Sequence, residues 1–277
     1  MSDLLIHSMA EFAPLILKCL ARAKARQVVE IGAEFGGMSQ CLADYCLETG
    51  GQLTSIDPAP KQEFLDWVQA NPHVRHIAQP SLDVMAGLSG VDAWVIDGDH
   101  NYYTVMNELR HAHALARGED RPLLVFLHDI SWPCGRRDFY YAPERIPEEF
   151  RLPHSFDAGV TLDNAGCQND RGMRGMGQFA VALEEGGPRN GVLTAIEDFI
   201  SVADSEGQPL VFAHIPAVFG LGVLFDGSAD WAEDVAGFLL PYHENDLIAS
   251  LELNRLRNYL AVIDWQDREA DRLSDAA

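Results

Sequence analysis

Basic residues are scarce in this chain. Its 277 residues hold 20 Lys and Arg against 42 Asp and Glu, a formal net charge of −22. A surface of that sign repels a phosphate backbone, which argues against nucleic acid as a partner. Cysteine is scarce too. The five thiols (Cys19, Cys41, Cys46, Cys134 and Cys167) form no CxxC pair. An odd count with no leader fits reduced thiols and predicts a cytoplasmic protein. The opening Met1–His7 lacks a basic region followed by an apolar core. No apolar run approaches the ~20 residues that a bilayer span requires, so no membrane partner is expected. Internal repeats are absent as well.

What remains is ordinary globular material, 47% hydrophobic and 22% charged. The length suits one enlarged domain better than two. Ser8-Met-Ala-Glu11 reads as a capping box before a helix carrying Phe12, Leu15, Ile16, Cys19 and Leu20. Short apolar strands follow at residues 27–31, 52–56, 74–78, 91–96 and 123–127, alternating with helical stretches. Five such units predict a parallel sheet with right-handed crossovers. From 131 to 190 no clean period is visible, although the stretch is rich in aromatics, proline and glycine. A long irregular segment inside a compact domain is usually functional or disordered, and the aromatics argue against full disorder. Order resumes with a helix over 192–203 and two strands, 209–215 and 221–225, whose short connection predicts antiparallel pairing. The tail from 246 to 263 has apolar residues near helical spacing. That stripe fits packing on its own domain, the commoner case, or pairing with a second copy as a homo-oligomer.

Chemistry gathers at the strand ends. The first strand runs into Gly32-Ala-Glu-Phe-Gly36-Gly37, where glycine lets a ligand approach the backbone and a helix start offers free N–H groups. The spacing is not the GxGxxG dinucleotide fingerprint. Asp57 ends the next strand, where a carboxylate can accept both hydroxyls of a ribose. Together these features point to an adenosine-bearing ligand, with a pyrophosphate less favoured. The fourth strand ends in Asp97-Gly-Asp99-His100 and the fifth in His128-Asp129. Asp97 and Asp129 can hold a hard cation such as Mg²⁺. His128 reads equally as a further ligand or as a packed side chain, and His100 suits a general base. Arg136 and Arg137 are read as ion-paired, with an acceptor-binding fork as the sharper alternative.

Four segments in concert, Val-Val-Glu-Ile-Gly-Ala-Glu-Phe-Gly-Gly-Met-Ser, Ser-Ile-Asp-Pro, Val-Ile-Asp-Gly-Asp-His-Asn-Tyr and Phe-Leu-His-Asp, resemble class I S-adenosylmethionine-dependent methyltransferases. The nearer likeness is to the small-molecule branch that includes macrolide-sugar O-methyltransferases and cephalosporin-hydroxylase-like proteins. The resemblance implies a Rossmann-like, seven-stranded, mostly parallel α/β sheet with an antiparallel last strand and helices on both faces. A long insertion would follow strand five. The resemblance, taken with the residue pattern, gives a single methyltransferase domain over 1–277, with an N-terminal helix in 1–25, an insertion or lid over 131–190 that is read from its own glycines and aromatics and has no clear counterpart in the family, and a C-terminal helix over 243–265. It implies that Gly32, Gly36 and Ser39 line the methionine part of S-adenosylmethionine, that Glu30 holds the loop, that Asp57 takes the ribose and that Ser81 meets the adenine side. Asp97 would serve both cofactor and metal. Asp97, His128 and Asp129 would hold Mg²⁺, and His100 would be the base. The metal-dependent sugar enzymes carry an acidic residue where this chain has His128. The expected reaction is methyl transfer to a hydroxyl of a small-molecule acceptor, a sugar or natural-product scaffold. A metal-independent N-methyltransferase and a non-catalytic cofactor-binding protein are the alternatives, and a nicotinamide oxidoreductase is disfavoured by the glycine spacing.

Overall fold

The computed structural model describes residues 8–275. The reading of Met1–His7, the start of the expected N-terminal helix and the last two residues of the tail lie outside the described residues. Five strands come first in the chain: β1 (Gln27–Ile31), β2 (Gln52–Ile56), β3 (Val74–Ile77), β4 (Ala93–Ile96) and β5 (Leu124–Leu127). Five short ones occupy the segment after them: β6 (Phe139–Tyr140), β7 (His154–Ser155), β8 (Ala158–Thr161), β9 (Asn164–Asn169) and β10 (Ala180–Ala182). Two more, β11 (Leu210–Ile215) and β12 (Leu221–Asp226), complete the main sheet. Its order is β11-β12-β5-β4-β1-β2-β3. The first five strands pair in parallel, and β12 runs antiparallel to both of its neighbours. This is the seven-stranded, mostly parallel architecture expected from the sequence.

Successive residues of the central strands feed opposite faces, the period-two consequence of strand geometry. Leu124 and Phe126 join Val95 in a core with Leu20 of α1 (Ala13–Arg22), Leu42 of α2 (Gly37–Thr49) and residues of a later helix described below. Val125 and Leu127 join Trp94 and Ile96 in the other core. That core is closed by Met85, just after the single turn α4 (Ser81–Val84), by Leu109 of α5 (Tyr102–Gly118) and by Phe199 of α6 (Val192–Ser205). Between β2 and β3 lies α3 (Gln62–Ala70). After β12 come α7 (Ala232–Leu239), whose Val235 completes the first core, and α8 (Asp246–Asp275). Buried on both sides, the strands read as apolar runs rather than as alternating ones.

The segment after β5 is more ordered than its sequence period suggests. β6, β10 and β7 form a three-stranded sheet, and β8 pairs with β9 as a hairpin. Strands this short give too few residues for a period to register. Buried charge holds the segment to the main domain. Asp138 Oδ1 accepts from the amides of Tyr102 and Gly191, both at 2.7 Å, and Oδ2 accepts from the Tyr140 hydroxyl at 2.8 Å. Farther along, Arg174 makes a two-pronged ion pair with Asp267 of α8, and Arg171 pairs with Asp271. α8 runs to Asp275, ten residues past the expected end at 265. Two ion pairs join residues one helical turn apart there, Arg268–Asp264 across the expected end and Arg272–Glu269 beyond it. Leu247, Leu251, Val262 and Trp265 on this helix are exposed. No helix among the described residues is long and apolar enough to cross a membrane.

Candidate active site

Strand order reverses between β1 and β4, and in an open α/β sheet ligands bind outside the strand ends at that reversal. The backbone there leaves no spare room. Gly32 has φ +86°, and a Cβ on it would lie 2.2 Å from the Asp97 carbonyl oxygen. Only glycine lets the first loop pass so close to the end of β4. Gly36 starts α2 at φ +83°, also left-handed.

On the β1–β2 side, Asp57 clamps the loop. Its Oδ2 accepts from the amides of Ala33 and Glu34 at 2.8 and 3.0 Å, and its Oδ1 accepts from Ala59 at 2.8 Å. The carboxylate therefore organises the glycine turn, and its remaining lone pairs could face a ribose. Glu30 is buried. Its Oε2 accepts from Ser39 and Ser55 hydroxyls, each at 2.6 Å, while Oε1 has no hydrogen-bond partner among the described residues. Burial pushes the Glu30 carboxyl up to about 7 against the pull of those two hydroxyls. Glu30, Gly32, Gly36, Ser39 and Asp57 are thus brought together around one turn. A buried acceptor atom left open beside a loop that admits only glycine fits a cofactor with a cationic amino-acid end. Ser81 stands apart from this group, turned inward, with its hydroxyl donating to Glu108 Oε1 at 2.5 Å.

On the β4–β5 side, four titratable groups converge. His128 Nδ1 lies 3.1 Å from Asp97 Oδ1 and 3.6 Å from Asp129 Oδ1. His100 Nε2 lies 3.0 Å from Asp129 Oδ2 and 3.4 Å from Asp97 Oδ1. His128 Nε2 donates to the Val218 carbonyl at 2.9 Å. A carbonyl only accepts, so Nε2 carries a hydrogen and Nδ1 is the nitrogen turned to the acids. Asp129 has a left-handed φ of +58°, and its buried Oδ1 has no hydrogen-bond partner among the described residues. Burial would raise the Asp97 carboxyl, but His128 first and then His100 hold it well below the usual range. Burial opposes charge on both imidazoles. Asp129, ahead of Asp97, nevertheless pushes His100 up to about 9, and Asp97, ahead of Asp129, does the same for His128.

Ligand atoms of Asp97, His128 and Asp129 all lie within 4.8 Å of one another, as a metal ion would need. A second such group, His100, Asp129 and Cys134, shares Asp129. Cys134 was not expected here. It follows the fifth strand by several residues, and no local spacing links it to His100. Tyr141 was missed for the same reason: its ring lies 6.1 Å from that of His100 and 5.9 Å from Phe179. The two arginines after β5 resolve to ion-pairing and structural roles. Arg136 forms a two-pronged pair with Glu197, and Arg137 is buried against the carbonyls of Ala182 and Ala165.

Residues 29–130 match a family model described as a methyltransferase domain. The matched segment runs from β1 to just past β5 and contains Glu30, Asp57, Asp97, His100, His128 and Asp129. No curated protein sequence matches it. Among solved structures it is similar in shape to the O-methyltransferase TomG of Streptomyces achromogenes, a protein of tomaymycin synthesis determined with S-adenosylmethionine (14% identity, 82% of this chain and 83% of that one, TM-score 0.45). It is similar also to the Bacillus cereus O-methyltransferase with S-adenosylhomocysteine (13% identity, 82% and 84%, TM-score 0.44). A third likeness is the Burkholderia thailandensis 1,6-didemethyltoxoflavin N1-methyltransferase (16% identity, 79% and 78%, TM-score 0.41). At these scores the likenesses carry no argument about the acceptor.

Proposed function

We propose that the protein transfers the methyl group of S-adenosylmethionine to a hydroxyl of a small molecule, assisted by a divalent cation, with His100 as general base. The observation that carries this reading is the convergence of Asp97, Asp129, His100 and His128 beside the glycine turn, at the reversal of strand order. Asp57 and the loop it clamps would hold the ribose. Glu30 Oε1 and the surface around Gly32 and Ser39 would take the methionine end. Ser81 would border the adenine side through its backbone, its hydroxyl being engaged with Glu108.

Methyl transfer from a sulfonium is an in-line displacement, so the acceptor must be held close and lose its proton. Asp97 and Asp129, with His128, would hold the cation, which when bound lowers the pKa of an adjoining hydroxyl. The acceptor oxygen bonds to the methyl carbon as the carbon–sulfur bond breaks, and the electron pair of that bond stays on sulfur. A cation held by Asp97 and Asp129 would offset the carboxylate charge that pushes His100 up, so the imidazole would be neutral and could take the acceptor's proton, with Asp129 3.0 Å away to balance the imidazolium. Residues 131–190 would cover this step and exclude water, with Tyr141 and Phe179 forming an aromatic wall over the base.

Isothermal titration with S-adenosylhomocysteine and NAD, followed by turnover on a panel of hydroxylated acceptors with and without EDTA, tests the reading. Binding of the first ligand alone and loss of turnover in EDTA are expected. Turnover that survives EDTA on an amine would favour metal-free N-methylation, and tight binding with no turnover would favour a non-catalytic role.

A further inference from the structure

We infer that the Asp97–His128–Asp129 cluster selects a divalent transition ion, of the cobalt-to-zinc type, over Mg²⁺. The inference rests on the reading above that a divalent cation works at this site, and it concerns which ion the donors prefer.

The argument begins with the hydrogen on His128. Because Nε2–H is committed to the Val218 carbonyl, the neutral ring presents a lone pair at Nδ1. That lone pair faces Asp97 Oδ1 at 3.1 Å and Asp129 Oδ1 at 3.6 Å. Three electron-rich atoms so placed need a positive charge among them, which a proton on Nδ1 supplies and for which a metal ion can substitute. Asp129 Oδ1 is buried and has no hydrogen-bond partner among the described residues, which leaves its lone pairs open to a metal ion. A histidine that ligates a metal commonly gives its other ring N–H to a backbone carbonyl, which fixes both tautomer and ring orientation. His128 is held in that way.

The donor chemistry then chooses the ion. Mg²⁺ is small and hard, holds oxygen ligands and sheds its waters reluctantly. Imidazole nitrogen suits zinc, iron, nickel and copper, and affinity for a mixed nitrogen and oxygen site rises along the first-row divalent series. Around Asp129 the further donors are a second imidazole, His100, and the Cys134 thiol, again nitrogen and sulfur rather than oxygen. Two carboxylates still neutralise a dication. The histidine therefore changes the preference of the site without leaving its charge unbalanced.

The test uses the full-length protein stripped of metal and measures binding rather than turnover. Co²⁺, Zn²⁺ and Mg²⁺ are titrated separately by calorimetry, with the visible absorption of Co²⁺ as a second signal. Co²⁺ and Zn²⁺ should bind at least ~100-fold more tightly than Mg²⁺. His128→Gln should weaken Co²⁺ by about 10- to 100-fold and alter its spectrum, with Mg²⁺ affinity nearly unchanged. S-adenosylhomocysteine affinity, measured on the same samples, should stay constant and reports that the variant is folded. Mg²⁺ binding within tenfold of Co²⁺ in the native protein overturns the inference and leaves cation assistance standing. So does a Co²⁺ preference that survives His128→Gln but disappears in Cys134→Ser. If none of the ions binds, both this inference and the cation-assisted reading fall.

Discussion

At the ends of β1 and β2 the carboxylate of Asp57 is answered by backbone amides, those of Ala33, Glu34 and Ala59. At the ends of β4 and β5 the carboxylates of Asp97 and Asp129 are answered by imidazoles from neighbouring turns, and Asp129 Oδ1 has no hydrogen-bond partner among the described residues. The first arrangement is a scaffold. Its hydrogen bonds are local, and they shape a loop that a ligand then approaches. The second is held under strain, with a left-handed aspartate and like-charged oxygens turned toward a common point. Polar groups left in such a state persist where surrounding structure enforces them, and they cluster at functional sites.

This contrast can be tested by removing one group from each side. The largest effect is expected from His100→Ala. Turnover should fall by roughly 10²- to 10⁴-fold while S-adenosylhomocysteine affinity stays within a factor of about two. Equal losses in both would make His100 a structural residue and erase the distinction. Asp57→Ala should do the reverse and weaken cofactor affinity by about 10- to 100-fold, with a loss of stability of roughly 1–3 kcal/mol from three abandoned amides. Calorimetric titration and urea unfolding read the two parts. A variant that keeps native cofactor affinity would show that the loop does not need its clamp.

The smallest effect concerns pH. Glu108 lies behind the site, its Oε1 held by Ser81, and burial pushes its carboxyl from 4.5 up to about 8. Between those values the native state holds a proton that the unfolded chain has released. Stability therefore falls as pH rises through that window. Glu108→Gln should flatten that slope, with a gain on the order of 1–2 kcal/mol above pH 8 in urea melts. An unchanged slope would show that Glu108 is ionised in the fold at neutral pH.

The sheet was legible because its signals are local. Apolar runs such as Leu124–Leu127, glycine at position 32 and acids at strand ends need no knowledge of distant residues. Helix capping is local too: the side chain of Asn101, just ahead of α5, accepts from the Thr104 amide at 2.9 Å. The segment after β5 was not legible, because its order comes from contacts far apart in sequence. Asp138 joins Tyr102 to Gly191, and the Phe139 amide donates to the His100 carbonyl at 2.9 Å. His128 could be read as ligand or packing residue for a similar reason. What decides its tautomer is a carbonyl ninety residues away.

That carbonyl is itself kept in place from outside the crevice. Val218 and Phe219 both have left-handed backbones, and the Phe219 amide donates to Glu252 on α8 at 3.0 Å. Glu252 is held by Arg255, which lies over the Phe219 ring. A helix that supplies none of the proposed ligands thus helps fix which ring nitrogen of His128 is turned to the acids. A cut through the chain before this helix would leave every proposed ligand in the polypeptide, yet free that ring to turn.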